Sequence, residues 1–137
     1  MNMQSQRIIK KVIEELCKKI NGLEGIYLFG SRAEDKHYNN SDWDFAFLCR
    51  ISVTQDKLYN IKADLEMELN IDLDIVDLYT SNTLIQVQVI KTGKLVWINN
   101  IYNIEQFEYL TLSYYQKLNE ERKEILKDIK SRGNVYG

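Results

Sequence analysis

The chain has 137 residues, 45% of them hydrophobic, enough to bury roughly two thirds of its unfolded surface without disulfides. This excludes a disordered chain and predicts one domain over residues 1–137, with no room for separate cofactor and substrate domains. Eighteen basic against twenty acidic residues leave a net charge of -2, without the basic excess of a nonspecific nucleic-acid binder. Two isolated cysteines, Cys17 and Cys49, and no apolar N-terminal signal or membrane-length run predict a soluble, reduced, cytoplasmic protein.

With no proline and only six glycines, the breaks must be read from glycine, asparagine and changes of hydrophobic period. From Gln4 to Ile20 apolar residues recur at helical spacing, and Asn21-Gly22 ends the helix. Gly25 to Phe29 is a short apolar run, a strand buried on both faces. Gly30-Ser31-Arg32-Ala33 and the polar stretch Glu34 to Ser41 read as turn and loop, before a second strand over Asp42 to Cys49. Thr54 to Asn70 is helical through Leu58, Ile61, Leu65 and Leu69, capped near Thr54 or Asp56 and ended at Asn70. Ile71 to Tyr79 is a third strand. Ser81-Asn82 introduces a short helix closed by Gly93, Lys94 to Ile98 is a fourth strand, and one long helix runs from Ile101 to about Lys130. The predicted class is α/β, in the α+β sense.

The chemistry concentrates between Gly30 and Asp44. A glycine at a strand end lets backbone amides approach a phosphate, and Ser31 opens a short helical turn whose amides and hydroxyl suit an anion. Asp42 and Asp44, two apart on a strand, project from one face and present the oxygens that a hard cation such as Mg2+ takes. One or two ions at such a pair would activate an attacking hydroxyl and neutralise a phosphoryl group and its leaving pyrophosphate. The third strand offers Asp72 and Asp74 on one face and Asp77 on the other; Asp74, set among Leu73, Ile75 and Val76, is costly unless a cation pairs with it. Asp-x-Asp alone is common, and Gly-Ser alone is an ordinary turn. The conjunction of strand, Gly-Ser, spacer, in-strand Asp-x-Asp and later aspartate is what singles out this region.

Leu28-Phe29-Gly30-Ser31-Arg32-Ala33 followed by Ser41-Asp42-Trp43-Asp44-Phe45 resembles the motif of the DNA polymerase β-like nucleotidyltransferases. More narrowly it resembles the minimal nucleotidyltransferases, antitoxins paired with HEPN-domain ribonuclease toxins, and the similarity extends to Leu73-Asp74-Ile75-Val76-Asp77-Leu78. The resemblance implies a mixed sheet flanked by helices, with the carboxylates on its open side. It implies that Gly30 and Ser31 hold the triphosphate of ATP, that Asp42 and Asp44 bind Mg2+, and that Asp74 completes the metal site and helps to activate the acceptor. It also implies transfer of AMP to a tyrosine of a HEPN toxin, with which the chain would form a hetero-oligomer. One position departs from the pattern: Asp35, after Glu34, stands where relatives usually carry glycine, and two acids beside a triphosphate weaken its binding unless they face away.

Arg32 and Lys36 are candidate phosphate contacts, although a loop cation is more often solvated. His37 reads as a surface residue, Cys49 as a small core residue, and Tyr109, Tyr114, Tyr115 and Trp97 mostly as packing between the last helix and the sheet. Three other readings stay open: an antitoxin that neutralises by binding alone, a small-molecule nucleotidyltransferase of the aminoglycoside type, and, last, transfer to a nucleic acid.

Overall fold

A computed structural model describes residues 2–34 and 42–136. Asp35, Lys36, His37 and Ser41, to which the sequence reading gave roles, lie outside the described residues. In chain order the elements are α1 (Met3–Lys19), β1 (Leu23–Phe29), a 3-10 turn (Gly30–Arg32), β2 (Trp43–Cys49), α2 (Gln55–Leu69), β3 (Leu73–Asp77), α3 (Thr83–Thr92), β4 (Lys94–Ile98) and α4 (Ile101–Tyr136).

Capping side chains start three of the helices where the sequence changes period. Asn2 Oδ1 accepts from Ser5 N at 2.8 Å for α1, Thr54 Oγ1 from Lys57 N at 3.2 Å for α2, and Asn82 Oδ1 from Ile85 N at 2.9 Å for α3. Each satisfies an amide that the first helical turn leaves without a partner. Asn70 ends α2 in the left-handed region, at φ 53°, the conformation that asparagine tolerates best after glycine.

The four strands form one mixed sheet in the order β3-β2-β1-β4. β1 is antiparallel to β2 and β4, while β2 and β3 run parallel. Side-chain alternation divides β2 between two cores. Trp43, Phe45, Phe47 and Cys49 pack with Ile8, Val12 and Leu16 of α1 and Leu58, Ile61 and Leu65 of α2. Ala46 and Leu48 face the other way, into a smaller cluster with Tyr27, Val89 of α3 and Ile104 and Phe107 of α4. β1, covered on both faces, is buried along nearly its whole length, as its uninterrupted apolar run predicts.

The last helix exceeds its predicted end, continuing past Lys130 to Tyr136. Tyr109 and Tyr114 are exposed rather than packed on the sheet, because the helix leaves the body within its first turns and every residue from 116 to 132 is exposed. Cys49 is buried as expected, its thiol donating to Asn21 O at 3.1 Å. Among the described residues no helix is long and apolar enough to cross a membrane.

Candidate active site

The site grows from the register of three strands. In the antiparallel ladder Phe29, the last residue of β1, pairs with Asp44; in the parallel ladder Asp44 pairs with Asp74. Residues paired across a ladder project from the same face, so Asp44 and Asp74 stand side by side on the face of β2 that carries Ala46 and Leu48. Asp42 immediately precedes β2 rather than lying within it. Two backbone contacts lock the register at this end: Trp43 N donates to Asp72 O at 2.9 Å, and Leu73 N donates to Glu66 Oε2 at 3.0 Å. The second ties α2 to the start of β3.

Gly30 turns directly over Asp44. Its φ of +74° lies in the left-handed region, and a Cβ there would collide with the Asp44 carboxylate. Only glycine meets both demands. The turn is closed by Ala33 N donating to Gly30 O at 3.1 Å, leaving Gly30 against the Asp44 carboxylate. Asp42, Asp44, Asp72 and Asp74 border an open cleft of about 440 Å³ that Lys62 and Glu66 of α2 complete.

The charge balance of this cleft is unfavourable on its own. The Asp44 carboxyl is pushed above the usual carboxylate range, first by burial and then by the charges of Asp74 and Asp42. The burial cost expected at Asp74 thus falls at Asp44: Asp74 is exposed, because the sheet face beside it is open to the cleft. Asp77 lies on the opposite face, as parity predicts, with its carboxylate accepting from Tyr79 N at 3.1 Å.

Among the described residues no three histidine, cysteine or carboxylate side chains close into a metal-binding group. The open arrangement of Asp42, Asp44 and Asp74 suits Mg2+ better than a closed cage would, since that ion keeps several waters and takes one or two carboxylates together with substrate phosphates. The raised Asp44 carboxyl is the state that a neighbouring cation would reverse.

Arg32 is not brought to the carboxylates. It is 8% exposed rather than solvated, with its guanidinium 4.4 Å from the centroid of the Trp43 ring, on the face of β2 opposite Asp44. Its charge is partly destabilised by burial and lies over the ring that receives it. Sequence reasoning missed Lys62 and Glu66. Their spacing of four places them on one stripe of α2, but only the packing of α2 beside β3 shows which stripe faces the cleft.

The family profile described as "Polymerase beta, Nucleotidyltransferase" matches residues 10–102. "Protein adenylyltransferase MntA" of Shewanella oneidensis is 34% identical over 119 residues, covering 87% of this chain and 85% of that protein. A chain from the crystal structure of a toxin-antitoxin with AMP-PNP superposes with a TM-score of 0.77 at 34% identity, covering 88% of this chain and 97% of the other. Another, from a tri-AMPylated Shewanella oneidensis HEPN toxin in complex with MNT antitoxin, superposes with a TM-score of 0.75 at 33% identity, covering 93% and 99%.

Proposed function

Because the chain belongs to the polymerase β nucleotidyltransferase family, we propose that it transfers AMP from ATP to a tyrosine hydroxyl of a HEPN-domain toxin and thereby neutralises it. The observation that carries this reading is the in-register pair Asp44 and Asp74, with the glycine turn at Gly30 lying directly over Asp44. The relative named a protein adenylyltransferase and the similar chain found with a tri-AMPylated HEPN toxin supply the acceptor class. The AMP-PNP in another similar structure supports a nucleoside triphosphate as donor.

In this reading Gly30 and Ser31 present backbone amides and a hydroxyl to the triphosphate. Asp42, Asp44 and Asp74 hold Mg2+, which when bound neutralises the phosphates and lowers the pKa of the acceptor hydroxyl. The tyrosine oxygen forms a bond to the α-phosphorus and the bond to the bridging oxygen breaks, releasing pyrophosphate. Asp74, the exposed member of the pair, helps to activate the acceptor hydroxyl. Arg32, a candidate nucleotide contact, also stacks on Trp43 at the end of the glycine turn. The cytoplasm, where ATP is available, is the proposed compartment.

Incubating the chain and its HEPN partner with labelled ATP and Mg2+ should label the toxin on tyrosine. Failure of the wild-type pair to label would count against the reading. Asp42→Asn with Asp44→Asn should lower transfer by at least about 100-fold, since even groups that only orient a metal ligand are worth 10–100-fold. Asp35, which stands where relatives usually carry glycine, favours a second reading, neutralisation by binding alone. Full neutralisation by the doubly substituted chain would establish it.

A further inference from the structure

A second polar site lies at the other end of β1, about 20 Å along the strand from Gly30. The β1–β2 pairing steps from Leu23 with Cys49 to Gly25 with Leu48, so Glu24 is the extra residue of a bulge and its side chain is re-aimed towards α4. The backbone there is held firmly: Glu24 O accepts from Asn99 N at 2.9 Å and Asn100 N at 3.1 Å, and Asn99 Nδ2 donates to Leu23 O at 3.1 Å. Gly25 lets α4 approach, since a Cβ would stand 2.7 Å from Ile104 Cδ1.

The Glu24 side chain is only 3% exposed and borders a cavity of about 260 Å³ between β1 and α4. Its Oε1 accepts from the Tyr79 hydroxyl at 3.2 Å, while Oε2 is buried with no hydrogen-bond partner. The Tyr79 ring meets Phe107 edge-on with centroids 5.2 Å apart, and Asn103 and Gln106 of α4 add neutral polar groups. Burial and the Glu24 carboxylate push the Tyr79 hydroxyl up, with Arg50 at the rim acting in the opposite direction. Arg50 is exposed, and among the described residues no ion pair joins it to Glu24. An unpaired carboxylate oxygen inside a protein is expensive, and this one plays no part in the catalytic cleft.

We propose that this cavity binds a guanidinium or primary ammonium group carried by an arginine or lysine side chain of a partner protein. A single carboxylate is a poor cage for a divalent ion, which takes six or more oxygens. A carboxylate beside two aromatic rings and two amides matches a planar guanidinium, which donates to a carboxylate and stacks on a ring. A free polyamine carries the same chemistry, and the test separates the two sources.

The 15N-labelled full chain is titrated separately with N-acetyl-argininamide, N-acetyl-lysinamide and spermidine, following the amides of Glu24, Tyr79, Asn103 and Gln106. A capped arginine or lysine should shift these signals saturably. Glu24→Gln, which keeps the shape and removes the charge, should weaken binding by about tenfold or more. Leu110→Lys, at a cavity position 57% exposed and safe for folding, should compete intramolecularly and weaken the same probe. The proposal is overturned if neither capped residue shifts these signals in the wild type, if only spermidine does, or if both variants bind as the wild type does.

Discussion

Asp44 is held by two opposing demands. The fold buries it beside Asp74 and Asp42, which raises its pKa, while the proposed chemistry needs it ionised. A carboxyl whose folded pKa exceeds its unfolded value near 3.9 binds protons more tightly when folded, so its charge opposes folding above the folded pKa and that penalty fades as pH falls through it. Asp44→Asn should therefore melt at a higher temperature than the wild type at neutral pH, with the difference shrinking towards pH ~4. Thermal melts across that range check the sign, and an unchanged or lower neutral-pH Tm would contradict it. Gly30→Ala meets both a left-handed backbone and the Asp44 carboxylate. It should cost at least about 1–2 kcal/mol in urea denaturation and abolish AMP transfer, because the turn can relax only by moving off the carboxylates.

At the scale of elements, α2 and the strand after it align the site. Thr54 caps the start of α2, Asn70 ends it at φ 53°, and Glu66 accepts the first amide of β3. Thr54→Ala and Asn82→Ala should each destabilise by about 1 kcal/mol, read as a lower urea midpoint with unchanged m. These caps were legible because an oxygen-bearing residue stood where the hydrophobic period began, and Asn70 because it stood where the period ended. Asp42 outside β2 and Asp74 in the open were not legible. Alternation tells which residues share a face, but not whether a helix covers that face. Arg32 shows the same limit: its loop position suggested solvent, yet Trp43, eleven residues on in the chain, lies beneath it.

For the whole molecule, the sheet order β3-β2-β1-β4 sets Asp44 and Asp74 side by side on adjacent strands, on the same sheet face that α3 and α4 cover beside them. The 36 residues of α4 reach about 54 Å, well beyond the body that its first turns help to cover. Ending the chain after Lys117 removes only exposed residues among those described, so urea denaturation should show a change within about 1 kcal/mol; a larger loss would mean that the projecting helix supports the core. By itself the sequence determined the periodicities, the caps, the glycine turn and the parity that sets Asp42 with Asp44 and Asp72 with Asp74, all of which depend on neighbours a few residues apart. Tertiary structure alone decided that Asp44 rather than Asp74 bears the burial, that Lys62 and Glu66 border the cleft, and that a bulge turns Glu24 inward. These outcomes depend on strand register and on which helix covers which face, and both are set by contacts between residues distant in the chain.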